Sequence, residues 1–218
     1  MILAAGRGER LRPATLSTPK PLLPVKGKPM IEAQLEKLAA SGFRHIVINI
    51  SYLADNIVEY LGDGRQYGVR ISYSREPGGP YGTGGGIVNA LELLHEEEFL
   101  VVNSDVYSDI DFGRIRIGGR FSARLILVDN PAHNPGGDFG VADGILTGPG
   151  AAASTFTFSG VGRYRRGLFE DRPSGFMALT DILQEEIEKQ MIAAEVHPGF
   201  WMDLGTKERL DRANSFPD

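Results

Sequence analysis

The chain has 218 residues, 42% of them hydrophobic and 23% charged, and a formal net charge of −5; these are ordinary globular values, sufficient for one sizeable core. The acidic balance argues against a nucleic-acid partner, which calls for a basic surplus or stripe, and the absence of cysteine excludes disulfides, thiolate metal sites and a cysteine nucleophile. No run approaches the roughly 20 apolar residues of a membrane span, and Met1 leads into a strand-like run without the basic start of a signal peptide, so a cytoplasmic protein with no membrane partner is expected.

The chain opens on a short apolar run, Ile2 to Ala5, that meets glycines at Gly6 and Gly8. The run is so short that it leaves room for native residues ahead of Met1. Behind it come Arg7, Arg10, Arg12 and Lys20, then prolines at 19, 21, 24 and 29. Glycines let backbone N–H groups approach an anion closely. Arginine offers a fixed fork of donors and lysine a point charge. Each proline fixes its own φ and biases its predecessor away from helix, so Lys20 sits on a stiff extended segment. The stretch reads as a phosphate site. It is not a dinucleotide fingerprint, because Leu11 takes the place of the third glycine, and no G-K-[ST] of a Walker loop follows.

Residues 30 to 41 carry apolar side chains at helical spacing, with Gly42 as a natural stop. Residues 43 to 50 read as a buried strand, 54 to 61 as a helix and 69 to 73 as a strand. This alternation predicts an α/β fold with a parallel sheet, whose ligands gather at the carboxyl ends of its strands. Residues 76 to 94 are glycine-rich at first and then helical from Gly85 or Gly86. Gly84, Gly85 and Gly86 are expected to form a flat backbone platform for a base or ribose. The run 99 to 105, FLVVNSD, places Asp105 at the carboxyl end of a buried strand, where Mg²⁺ chemistry often needs a carboxylate and where a lone aspartate is more often a turn former or N-cap.

Further on, 124 to 129 and 155 to 161 read as strands, 139 to 142 as a short strand before a turn at Asp143 and Gly144, and 179 to 192 as a helix. The segment 200 to 206, FWMDLGT, brings Asp203 ahead of a helix over 206 to 215. His45, His95, His133 and His197 show no metal-ligand spacing and read as surface or turn residues. Neither Ser104 nor Ser159 sits in a nucleophile elbow.

The opening LAAGRGERLRPATLSTPKPLLPVKGKPMI resembles the signature of the sugar-nucleotide pyrophosphorylases, which join a nucleoside triphosphate to a sugar 1-phosphate. The likeness continues through GTGGGI, VNSD, the strand around Ser159 and WMDLGT. VNSDVYSDIDF, LVDNPAHNPGGDFGV and TFTFSG narrow it toward the N-acetylmuramate 1-phosphate uridylyltransferases of cell-wall recycling. The resemblance implies one Rossmann-like domain over 1 to 218 with a mixed, mostly parallel sheet, a nucleotide half over about 1 to 110 and a sugar half over about 111 to 218.

It also implies roles for particular residues. Leu3, Ala4, Ala5 and Gly6 would hold base and ribose, with Gly8 and Arg10 on the triphosphate. Lys20 would lie against the α-phosphate and the sugar phosphate. Glu76, Thr83, Gly84 and Gly85 would complete the nucleoside pocket, and Asp105 and Asp203 would hold a catalytic Mg²⁺. Larger relatives carry a Glu-Lys pair on the sugar that the 141 to 155 region lacks; the sugar-side candidates are instead Asn103, Asp138, Gly140, Thr157 and Gly160. A monomer or weak homodimer is expected, and a single activity, since the chain ends soon after the WMDLGT helix. Glucose or mannose 1-phosphate with dTTP or GTP is the alternative within this chemistry. Cytidylyl- and molybdopterin-guanylyltransferases do not explain PKPLLPV or WMDLGT, and a non-catalytic nucleotide-sugar sensor is the alternative of another class.

Overall fold

A computed structural model describes residues 1–216. In chain order the strands are β1 (Ile2–Leu3), β2 (Pro24–Val25), β3 (Lys28–Pro29), β4 (His45–Ile50), β5 (Arg70–Arg75), β6 (Glu98–Asn103), β7 (Val106–Ser108), β8 (Ala123–Val128), β9 (Phe139–Ala142), β10 (Ile145–Thr147), β11 (Thr155–Arg165), β12 (Ile192–Val196) and β13 (Trp201–Asp203). The α-helices are α1 (Met30–Ala40), α2 (Ala54–Leu61), α3 (Gly82–Ala90), α4 (Leu179–Glu188) and α5 (Lys207–Ser215).

Nine strands form one mixed sheet in the order β5-β4-β1-β6-β11-β8-β12-β10-β9. β5, β4, β1 and β6 run parallel, as the strand–helix alternation predicts, and β11 enters antiparallel between β6 and β8. Side chains alternate across the sheet with the period of two that strands impose. Ile46, Ile48, Ile50, Leu100 and Val102 join the core under α1 and α2, while Val47, Phe99 and Val101 join the core under α3 and α4. Burial on both faces explains why these runs are continuously apolar.

Two helix ends show how local chemistry sets the boundaries. α1 stops where Gly42 takes φ +92 and closes a double C-terminal bond, Gly42 N–H to Ala39 O and Phe43 N–H to Leu38 O. α4 stops the same way with a non-glycine residue: Gln190 takes φ +56, its N–H bonds Ile187 O, and Met191 N–H bonds Glu186 O. The helical spacing runs on to Ile192, but Ile192 instead starts β12, beside β8. The short strands β7 and β10 had no separate sequence signal either. The turn at Asp143 and Gly144 is a two-residue hairpin with both φ positive, joining β9 to β10.

β11 bends where it crosses between the two halves. Its pairing with β8 shifts between Phe158 and Val161, so Ser159 and Gly160 form a bulge. The freed groups are satisfied locally: Ser159 Oγ donates to Ile126 O at 2.6 Å, and Trp201 Nε1 donates to Ser159 O at 2.9 Å. Beyond the bend, Thr155 and Phe156 pair with β9, so β11, β8, β12, β10 and β9 close on themselves. Among the described residues no helix is long and apolar enough to cross a membrane.

Candidate active site

A cleft opens at the carboxyl ends of β1, β4 and β6, the position a parallel sheet favours for ligands. Leu3, Ala4, Ala5, Gly6, Lys20, Glu76, Thr83, Asn103 and Asp105 all line it, together with Asn49 and Gly82. The register explains the convergence, because Leu3 pairs with Asn49 on one side and Asn103 on the other. Asn49 Oδ1 accepts from Ala4 N at 2.8 Å and its Nδ2 donates to Glu76 Oε1 at 2.7 Å; Glu76 Oε2 accepts from Tyr81 N at 2.7 Å. Glu76 therefore braces the opening loop and the glycine loop together, and burial pushes its carboxyl above the usual carboxylate range against those two bonds.

The charged groups form two linked clusters. Lys20 donates directly to Asp105, and both side chains are largely shielded, 14% and 19% exposed. Gly8, at φ +62, packs on the stem of Lys20: a Cβ there would stand 2.9 Å from Lys20 Cβ. Gly8 thus shapes the segment that carries Lys20 and does not line the cleft. The second cluster surrounds Asp203. A small third core, with Leu11, Leu23, Val25 and Met30 against Met202, Leu204 and Ala213, docks β13 and α5 onto the opening loop. β13 pairs with β7, and Leu204 N–H bonds Asp105 O, which brings the two aspartates to neighbouring backbone positions.

Asp203 is held from two directions. Arg209 donates from Nη2 to Asp203 Oδ1 at 2.7 Å and from Nε to its carbonyl at 2.9 Å. His133 Nε2 stands 2.9 Å from Oδ2 as an ion-pair contact, and Oδ2 is buried without a hydrogen-bond partner among the described residues. Arg10 reaches the same turn: a Cβ on Gly205 would lie 2.7 Å from Arg10 Nη2 and 2.8 Å from Asp203 Oδ1. His133 and Arg209 were missed by sequence reasoning. Arg209 carries a weak signal, lying one helical turn beyond the cap Thr206, whose Oγ1 accepts from Arg209 N. His133 carries none, since its partner is 70 positions away.

Four expectations require correction. Gly84 and Gly85 do not present a platform to the nucleotide. α3 begins at Gly82, and its glycine face is covered by the 175–178 segment: a Cβ would come 2.8 Å from Ala178 O at Gly84 and 2.0 Å from Gly175 O at Gly85. Gly140 packs against Thr147 and Ala152. Thr157 is buried, its hydroxyl tied to Asn130 and Asn134. Gly160, at φ +78, lies behind Asn103: a Cβ there would stand only 2.6 Å from Asn103 Nδ2, so the glycine allows that side chain its place and does not itself line the cleft. Asn103 and Asp138 do line a second, adjoining cavity. Asp138 has both oxygens engaged there, Oδ1 by Asn134 Nδ2 and Oδ2 by Phe158 N.

With this geometry in place, similarity to known proteins decides the family. The family model described as nucleotidyl transferase matches residues 1–144. The chain belongs to the nucleotidyl transferase family. It is 46% identical to the N-acetylmuramate alpha-1-phosphate uridylyltransferase of Neisseria meningitidis serogroup B, over 99% of this chain and 96% of that protein. It is 31% identical to the mannose-1-phosphate guanylyltransferase catalytic subunit beta of Xenopus tropicalis, over 94% of this chain and 60% of that one. Among solved structures, a candidate glucose-1-phosphate thymidylyltransferase of Bacillus anthracis, crystallised with sucrose, superposes with a TM-score of 0.84 at 25% identity, covering 98% of this chain and 92% of that one. The α/β fold expected for a nucleotidyl transferase is the one observed.

Proposed function

We propose that this nucleotidyl transferase moves a uridylyl group from UTP to N-acetylmuramate 1-phosphate and releases pyrophosphate, serving cell-wall sugar recycling in the cytoplasm. The observation that carries the reading is the charge arrangement at the cleft: Lys20 on Asp105 in its lining, and Arg10 beside Asp203 next to them, with a second cavity adjoining at Gly82, Thr83 and Asn103. The substrate choice is supported by the 46% identity over nearly the whole chain to the meningococcal uridylyltransferase.

In this reading a phosphate oxygen of the sugar 1-phosphate attacks the α-phosphorus of UTP, and the bond from that phosphorus to the β-phosphate bridging oxygen breaks. The nucleophile is already an anion, so no side chain need remove a proton. What the protein must supply is alignment of two polyanions and compensation of charge in a shielded site. Lys20 would leave Asp105 for the α-phosphate and the incoming phosphate, steered by the prolines on either side and by Gly8 against its stem. Arg10 would take the departing pyrophosphate. Asn49 and Glu76 would hold the loop that receives the base.

The donor set fits Mg²⁺. Asp203 Oδ2 is a buried oxygen lacking a hydrogen bond, with the His133 imidazole beside it and the backbone of Asp105 adjacent, and such oxygens suit a hard cation. No cluster of three or more His, Cys, Asp or Glu residues occurs among the described residues, which matches an ion that keeps waters and shares substrate phosphates. Held by Asp105 and Asp203, it would supply charge neutralisation and orientation of the phosphates. The test is a panel of N-acetylmuramate, glucose and mannose 1-phosphates against UTP, dTTP and GTP, reading pyrophosphate release with and without Mg²⁺. Preference for N-acetylmuramate 1-phosphate with UTP supports the assignment. Equal use of glucose 1-phosphate removes the substrate and leaves the chemistry. Binding without pyrophosphate release removes the enzyme reading.

A further inference from the structure

The second cavity has a volume of about 640 Å³ and shares Gly82, Thr83 and Asn103 with the nucleotide cleft, so whatever occupies it lies against the end of a bound nucleotide. Its lining is part polar, through Thr83, Asn103, Asp138 and Thr180, and part apolar. Phe139, Phe158, Phe176 and Leu183 line it, and no lysine, arginine or histidine does. Phe139 and Leu183 form a covered floor, 7% and 1% exposed, whereas Phe176 at the rim is 79% exposed.

Phe176 is exposed although its backbone is fixed. Met177 N donates to Tyr81 O at 2.9 Å, and Gly85 N donates to Met177 O at 3.1 Å. The absence of side chains along Gly82, Gly84 and Gly85 is what lets this segment lie on α3. A large aromatic side chain held in place over a cavity, with its own surface in water, gains hydrophobic stabilisation when a ligand covers it.

We propose that this wall selects the sugar 1-phosphate by its alkyl-bearing substituents, with Phe176 and Phe158 as specificity-determining residues. The proposal rests on the substrate reading above and deepens it. On the phenyl and leucyl part of the lining a hexose hydroxyl finds no partner; the polar side chains of the lining are those of Thr83, Asn103, Thr180 and Asp138, the last already bonded to Asn134 and Phe158. A 2-acetamido sugar carrying a 3-O-lactyl ether turns two methyl groups to the same wall. Its carboxylate has no cation to meet among the lining residues, so it stays at the open rim.

The experiment compares N-acetylmuramate, N-acetylglucosamine and glucose 1-phosphates with UTP for the native enzyme, Phe176→Ser and Phe176→Leu, separating kcat from KM. A contact of this size is worth about 10- to 100-fold in discrimination. Phe176→Ser should raise KM for N-acetylmuramate 1-phosphate about tenfold, raise it less for N-acetylglucosamine 1-phosphate and shrink the preference over glucose 1-phosphate. Phe176→Leu should restore most of the preference. Phe158→Leu, which keeps apolar bulk where the side chain is half-buried, should shift it in the same direction as Phe176→Ser but less. A native enzyme that prefers N-acetylmuramate 1-phosphate and keeps that preference in Phe176→Ser overturns the wall assignment alone. A native enzyme with no preference for acetylated sugars overturns the substrate reading, and the wall with it.

Discussion

Lys20 and Asp105 satisfy one another, and in the proposed mechanism both would change partners, Lys20 for a phosphate and Asp105 for a cation. That makes Lys20 the residue whose loss separates catalysis from folding most cleanly. Lys20→Ala should lower turnover about 10²- to 10³-fold, the usual effect of deleting one preorganised charge contact. It also leaves Asp105 shielded and unpaired, at about 1–3 kcal/mol, so a modest fall in Tm should accompany the loss. Pyrophosphate release and a thermal melt measure the two effects separately; wild-type turnover would take Lys20 out of the reaction. At this scale the opening loop was legible because its chemistry is written contiguously: glycines, cations and prolines within about 25 positions. The holders of Asp203 were not. His133 and Arg209 acquire meaning only when β13 and α5 dock on that loop, a tertiary event with no local trace at His133.

Among elements, α3 shows how one sequence feature supports two physical readings. A glycine run can expose backbone to a ligand or allow another segment to approach, and residue type does not distinguish them. In the structure Gly6 lines the cleft with open space around it and Gly85 serves the second use: a Cβ at Gly6 meets nothing within 4 Å, while one at Gly85 meets Gly175 O at 2.0 Å. Gly85→Ala must therefore push the 175–178 segment off the helix, an overpacking cost of about 1–3 kcal/mol. At about 2–4 °C per kcal/mol for a chain of this size, differential scanning calorimetry resolves it. Gly6→Ala should leave Tm in place, and an equal fall in both variants would refute the distinction. The long periodic elements α1, α2, β4 and β5 were legible, as was the stop at Gly42. α4 was read four residues too long because Gln190, a residue with no bias toward positive φ, closes the helix where glycine normally would.

The molecule as a whole is joined along β11, and that strand was the least legible part of the architecture. Its alternating pattern identified a strand but could not say that it runs antiparallel between β6 and β8, or that it changes neighbour from β6 to β9 at a bulge. This topology carries a thermodynamic consequence. The N-terminal and C-terminal halves share one continuous sheet, so neither can unfold while the other keeps its edge strands paired, and a single cooperative transition follows. Trp201, the one tryptophan in the chain, reports on the junction, because its indole N–H bonds Ser159 O at the bend of β11. Its fluorescence transition in denaturant should coincide with the loss of far-UV ellipticity. UTP with Mg²⁺ at 100 times its Kd should move both curves together by about 2.7 kcal/mol, although the nucleotide would touch only the β1, β4 and β6 side. A tryptophan transition that precedes the ellipticity change, or that stays fixed while the other moves, would mean that β11 divides the molecule instead of joining it.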